Sequence, residues 1–117
     1  MTSVLLVATV VCAVANASDA VASYARAPFV LANSAEVRVP PAALPYLATL
    51  KLAGAVGLVA GLSGAPWLGL AAGVGLIAFF VGAVLVHVRT RVLHNIAFPG
   101  GFLLLAVAAT VHFAGGR

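Results

Sequence analysis

The sequence predicts an all-α protein, an integral membrane bundle of four up-and-down helices. Of its 117 residues, 64% are hydrophobic and only 7% are charged, and the mean hydropathy is +1.22. Such values lie well outside the range of soluble globular domains. A membrane-spanning helix needs roughly 20 residues, so this length has room for four spans and one moderate loop. We therefore expect a single transmembrane domain over residues 1–117.

The first helix is predicted over residues 4–24. Its beginning resembles a secretory leader, since Ala15-Asn16-Ala17 has the small-residue pattern of a cleavage site. Residues 1–3, which precede this helix, carry no basic side chain, whereas a secretory leader begins with a positively charged region. We therefore expect the segment to be retained as a membrane span. Small and polar residues spaced three or four apart predict one helix face that turns toward neighbouring helices. That face comprises Thr9, Cys12, Asn16, Asp19, Ser23 and Arg26.

Residues 27–43 are predicted to form a connection that is too short to span the membrane. Pro28, Pro40 and Pro41 interrupt it, and its short apolar stretch at Phe29 favours a position in the membrane interface. The second helix is predicted over residues 45–62, because Pro45 suits the first turn of a helix.

The third and fourth helices are predicted over residues 67–87 and 96–113. A short uncharged turn precedes the third helix, and a short basic connection precedes the fourth. Glycines four residues apart, Gly57 with Gly61 and Gly69 with Gly73, predict close approach between helices two and three and their neighbours.

Arginines predict the orientation of the bundle. The first and third connections share one face and carry the residues Arg26, Arg38, Arg89 and Arg91. By the positive-inside rule that face is cytoplasmic and both termini lie outside, which gives a multi-pass protein of a bacterial cytoplasmic membrane. The net charge of +4 is explained by these flanking residues. They form no basic patch beside aromatic side chains, so we expect membrane lipid, and no nucleic acid, as a partner.

A lysine within the second helix requires a partner. An ammonium group in hydrocarbon costs about 3 kcal/mol on insertion scales, and the chain has only two carboxylates, Asp19 and Glu36. Lys51 lies about 9 Å along its helix from Pro45, and Asp19 lies about 10 Å from Arg26. Both therefore lie at similar depth beneath the same face. We predict that Asp19 and Lys51 form a pair.

Other polar side chains end their helices near that face, and together they form a candidate cofactor-binding cluster. Its members are Asp19, Tyr24, Tyr46, Lys51, His87 and His94. In one interpretation the ion pair only fixes the register of two helices. In a second, the cluster binds the polar head of a quinone, a lipid or a similar amphiphile. In a third, Asp19 and a histidine move protons or small solutes.

Metal binding and catalysis have weak support in the sequence. His87 and His94 are separated by a basic turn, so they are not expected to share one helix face as haem or metal ligands. Cys12 is the only cysteine, and we interpret it as a packing residue. No nucleophilic triad pattern or phosphate loop occurs. We predict no metal site and no catalytic residue, and the protein is not expected to be an enzyme.

Two stretches resemble the DoxX-like family of small four-helix membrane proteins. They are LATLKLAGAVGLVAG over residues 47–61 and LGLAAGVGLIAFFVGAVLVHVR over residues 68–89, followed by a short apolar helix. Within them, residues that match the family's helix endings and glycines are Gly54, Gly57, Gly82, Ala83 and His87. Lys51 departs from the pattern, because many members carry an acidic residue in that part of the second helix.

The resemblance implies a four-helix bundle and a loose connection to redox chemistry, since the family is named after a subunit of a thiosulfate:quinone oxidoreductase. On this basis we expect an accessory subunit of a bacterial membrane complex, of the kind associated with quinone-linked redox enzymes, in a homo-oligomer or a larger assembly. The alternatives are a self-contained binder or carrier of an amphiphile such as a quinone or lipid, and a purely structural subunit.

Overall fold

The computed structural model describes residues 2–93 and 96–115. Within these ranges the chain forms helices and no strand. The α-helices are α1 (Thr2–Tyr24), α2 (Pro28–Glu36), α3 (Leu44–Leu62), α4 (Pro66–Arg89) and α5 (Ala97–Gly115), and a 3₁₀ turn covers Pro41–Ala43.

The helices α1, α3, α4 and α5 are each long and apolar enough to cross a membrane. Their ends lie within two residues of the bounds expected from the sequence, a difference that is usual for helix termini. Pro45 and Pro66 lie in the first turns of α3 and α4, where a missing N–H is harmless because that group has no partner within the helix. The predicted fold class is confirmed.

The connection between the first two spans contains a short helix that the sequence reading did not identify. Helix α2 has 9 residues, about 14 Å of helix, which is too short to cross a membrane. Pro28 begins it, as suits a first turn. Val30 is buried whereas Phe29 is largely exposed, so one side of α2 contacts the bundle.

The four long helices pack as a closed ring. Helix α1 contacts α3, α3 contacts α4, α4 contacts α5, and α5 contacts α1. Consecutive spans are therefore neighbours, as in an up-and-down bundle. The buried core between them contains residues from all four, namely Cys12, Ala13, Leu58, Leu76, Phe80, Ala106, Ala109 and Phe113.

Glycines allow α3 and α4 to approach closely near the turn that joins them. A Cβ atom placed on Gly61 would lie 2.6 Å from the Cα of Gly69, which is closer than real Cβ contacts allow. The ring of Phe113 from α5 fills the space beside both glycines. The glycine spacing therefore serves helix packing here, as the sequence predicted.

Candidate functional site

Lys51 and Asp19 form an ion pair between α3 and α1. The Lys51 Nζ donates a hydrogen bond to the Asp19 Oδ2. The side chains are only 17% and 23% exposed, respectively, so both charges are largely removed from solvent. The contact predicted from helix depth is present. Each charge compensates the other at a depth where an isolated charge would be energetically unfavourable.

The polar stripe of α1 faces the interior of the bundle. Thr9, Cys12 and Asn16 are completely buried. Their hydrogen bonds remain within the helix, since the Thr9 hydroxyl donates to the Leu5 carbonyl at 2.7 Å and the Asn16 Nδ2 donates to the Cys12 carbonyl at 2.8 Å. These groups therefore serve packing. Asp19, on the same stripe, is the member that contacts another helix through its charge.

A cavity of about 150 Å³ lies beside the ion pair. It is bounded by all five helices, at the end of the bundle where α1 finishes and α3 begins. Its lining includes both members of the ion pair, together with His87 and several phenylalanines. The lining residues are Asp19, Ser23, Phe29, Val30, Ser34, Leu44, Leu47, Lys51, Phe79, Phe80, Ala83, His87, Phe98, Pro99 and Phe102.

Aromatic rings form one wall of the cavity. The ring centroids of Phe79 and Phe80 are 5.0 Å apart in an edge-to-face arrangement, and those of Phe80 and Phe102 are 5.1 Å apart. Both distances are in the range of favourable aromatic pairs. The Lys51 Nζ lies 5.5 Å from the centroid of Phe79, within cation–π range. The wall is therefore apolar and adjacent to a positive charge.

His87 lies in the last turn of α4 and contributes to the cavity wall. Its Nδ1 is 2.9 Å from the Ala83 carbonyl oxygen of its own helix. This contact holds the imidazole ring against the preceding turn of α4. Of the predicted cluster, the structure thus brings Asp19, Lys51 and His87 to one cavity.

The predicted tyrosines do not line this cavity. The hydroxyl of Tyr24 is 2.6 Å from the Thr49 Oγ1, which links α1 to α3 on the outside of the bundle. Tyr46 is 75% exposed, as suits a side chain at the level of lipid headgroups. His94 lies outside the described residues, so the structure gives no position for it.

The phenylalanines around the cavity were missed by sequence reasoning, although a signal existed. Phe80, Ala83 and His87 are spaced three and four residues apart, so they share one face of α4. Phe98 and Phe102 stand four apart on α5 in the same way. In a uniformly apolar helix this spacing is also typical of ordinary core packing. Only the assembled bundle shows that these side chains line a cavity.

The groups around the cavity can bind an organic ligand through hydrogen bonds and aromatic contacts. Within residues 2–93 and 96–115, no three His, Cys, Asp or Glu side chains come together as a metal site would require. Lys51 uses one N–H for Asp19, and an ammonium group has two more to donate. A head group with an oxygen acceptor and a flat ring would therefore find a donor and aromatic contacts here.

A comparison with protein-family models matched the DoxX-like family over residues 7–109 of the chain. The matched range includes all of α3 and α4 and most of α1 and α5, and with them Asp19, Lys51 and His87. No curated protein and no solved structure matched the chain.

Proposed function

We propose that this chain, which belongs to the DoxX-like family and is a multi-pass membrane protein, binds the polar head of a small amphiphile such as a quinone or a lipid. The observation that carries the proposal is the cavity beside the ion pair. Lys51 and Asp19 border a space that is otherwise walled largely by apolar and aromatic side chains. Pockets for small ligands combine an apolar wall with a few polar groups in this way.

The size of the cavity favours a single ring or a compact head. Its volume is about 150 Å³, and an apolar cavity of roughly that volume holds a molecule of the size of benzene. An amphiphile of this kind would leave its tail among lipids. The outer faces of the long helices are apolar and exposed, with Val56 of α3 60% and Leu104 of α5 72% exposed.

An ion pair that only fixed the helix register would not require a cavity beside it. Well-packed apolar side chains usually stabilise such a position as well as a buried ion pair does. Lys51 borders the cavity, and its ammonium group has two further N–H groups that can donate to an oxygen of a ligand. This supports binding over a purely structural role for the pair.

Native mass spectrometry of the protein extracted in mild detergent tests the proposal. We expect the wild-type chain to retain an amphiphile, and Lys51→Met to reduce its occupancy about tenfold, since a charge-assisted hydrogen bond is lost. Arg91→Met is the matched control, because Arg91 is exposed and does not line the cavity. Equal occupancy in all three proteins, or no ligand in any, would contradict the proposal.

A second candidate function is that of an accessory subunit in a membrane complex. The family resemblance suggests this role, because the family is named after a subunit of a thiosulfate:quinone oxidoreductase. A groove of about 510 Å³ on the outside of α3 and α4 favours it. Its floor contains small residues, of which Ala53, Ala71 and Gly75 are exposed. Small residues let a neighbouring transmembrane helix approach closely.

Substitution in the groove tests this second function. Gly75→Leu fills the groove, whereas Gly82→Leu, on the same helix, also meets open space but lies outside it. We expect only Gly75→Leu to reduce the co-purified partner or oligomer about tenfold. A homo-oligomer would appear at multiples of 11.6 kDa. If both variants assemble like the wild type, the groove is not the interface.

We further propose that the arginine-bearing end of the bundle faces the cytoplasm of a bacterial cell and that both termini lie outside. Arg26, Arg38, Arg89 and Arg91 are all exposed, as residues at a membrane surface are. Ala42→Cys and Ser63→Cys, each in a Cys12→Ala background, test the orientation. In intact cells an impermeant thiol reagent should label the second and not the first. The opposite labelling would reverse the orientation.

A further inference from the structure

The hydrogen bond of His87 determines which of its ring nitrogens carries a proton. A carbonyl oxygen can only accept, so the Nδ1 that contacts the Ala83 carbonyl at 2.9 Å must be the donor. In a neutral imidazole the Nε2 is then an acceptor. No described side chain or backbone group pairs with this Nε2. His87 lines the cavity, and its neutral ring has an unused acceptor.

The polar groups around the cavity fall into two kinds. Lys51 is a donor only, and one of its N–H groups already serves Asp19. His87 offers an acceptor, and the ionised carboxylate of Asp19 has only acceptor oxygens. A ligand oxygen that only accepts, such as a carbonyl or an ether, satisfies the lysine and leaves the histidine unpaired. A hydroxyl group, which both donates and accepts, satisfies both kinds.

We propose that the cavity selects an amphiphile whose head is a hydroxylated aromatic ring, a phenol or a hydroquinone, over the corresponding quinone or methyl ether. This inference rests on the proposed binding function and specifies its ligand. The hydroxyl donates to the Nε2 of His87, and an oxygen of the head accepts from the Nζ of Lys51. The ring stacks within the wall of Phe79, Phe80 and Phe102.

The matched probes 4-hexylphenol and 4-hexylanisole test the selection, because they differ only in whether the oxygen carries a hydrogen or a methyl group. Binding is measured by thermal shift of the full-length protein in detergent and by the ¹⁵N resonance of the His87 Nε2. We expect the phenol to bind at least about tenfold more tightly than the ether and to shift the Nε2 resonance. The pair decylhydroquinone and decylquinone should give the same order.

Substitutions of His87 assign the selection to this side chain. His87→Phe removes the acceptor, and the preference for the phenol should fall to about unity. His87→Gln supplies an amide oxygen and should retain part of the preference, which also controls for a variant that fails to fold. Tyr46→Phe removes an exposed hydroxyl outside the cavity and should change nothing.

The outcomes separate this inference from the proposed function. If neither probe binds the wild-type protein, the binding function itself fails. If both bind equally tightly, the cavity binds amphiphiles but the selection for a hydroxyl is wrong. If the phenol is preferred and His87→Phe leaves that preference intact, the acceptor is not His87 and the inference is overturned.

Discussion

At the end of the bundle where α3 turns into α4, the helices meet through their backbones, whereas at the opposite end they meet through aromatic and charged side chains. Gly61 and Gly69 allow the first contact, and Phe113 fills the remaining space. At the other end, Phe79, Phe80 and Phe102 stand around a cavity that also contains Lys51 and Asp19. Small residues draw helices together and large ones hold them apart, so one bundle has a closed end and an open end.

The connections at the two ends also differ, in charge and in backbone conformation. At the closed end a single uncharged turn passes through Gly64, whose φ is 127°. At the open end, Arg26, Arg38 and Arg91 adopt left-handed backbone conformations with φ of 54°, 62° and 59°. Each follows a helix whose terminal carbonyls accept its N–H and that of the next residue. Positive charge at these positions suits both the helix dipole and the membrane surface.

The largest expected effect concerns the ion pair at the open end. Asp19→Asn and Lys51→Met should each lower the free energy of unfolding by about 3 kcal/mol, because each leaves an uncompensated polar or charged group at depth. The double variant should lose less than the sum of the two. Equilibrium unfolding in mixed micelles measures this coupling. Strictly additive losses would show that the pair contributes nothing as a pair.

An intermediate effect is expected at the closed end. Gly61→Ala would place a Cβ 2.6 Å from the Cα of Gly69, so the helices must separate, at a cost of about 2 kcal/mol. Gly82→Ala is the matched control on α4, because its Cβ meets open space. It should not lower the free energy of unfolding, since alanine is the better helix former. Similar unfolding midpoints for both variants would mean that the closed end is not tightly packed.

The smallest expected effect concerns the left-handed arginines of the open end. Arg26→Gly and Arg26→Ala both remove the charge, but only glycine adopts a φ of 54° without strain. The glycine variant should therefore be the more stable of the two by about 1 kcal/mol. Thermal unfolding of the two proteins compares them directly. If alanine is as stable as glycine, the left-handed conformation does not persist in solution.

The ion pair could be predicted from the sequence because the chain offers so few choices. It has only two carboxylates, and helix geometry converts the positions of Asp19 and Lys51 into similar depths. The clustering of tyrosines with this pair could not be predicted as reliably. Depth fixes the level of Tyr24 and Tyr46 but leaves open the side of the helix on which they lie. Tyr24 instead reaches Thr49, and Tyr46 points away from the bundle interior.

Helix α2 was not predicted because nine residues carry little periodic signal. Its position matters, since Phe29, Val30 and Ser34 complete the cavity. A contact between this helix and the four spans depends on how the connection folds back, which no local pattern encodes.

The sequence by itself determined the number of spans, their approximate bounds, the family and the pairing of Asp19 with Lys51. These follow from hydropathy over roughly 20 residues and from the cost of an unpaired charge in lipid, both of which act along the chain. The sequence also predicted that His87 lies near that pair, but only the tertiary structure decided that phenylalanines, and not the predicted tyrosines, complete the cavity around them. Almost every face of these helices is apolar, so lipid and helix neighbours satisfy them equally, and three-dimensional packing alone decides which residues meet.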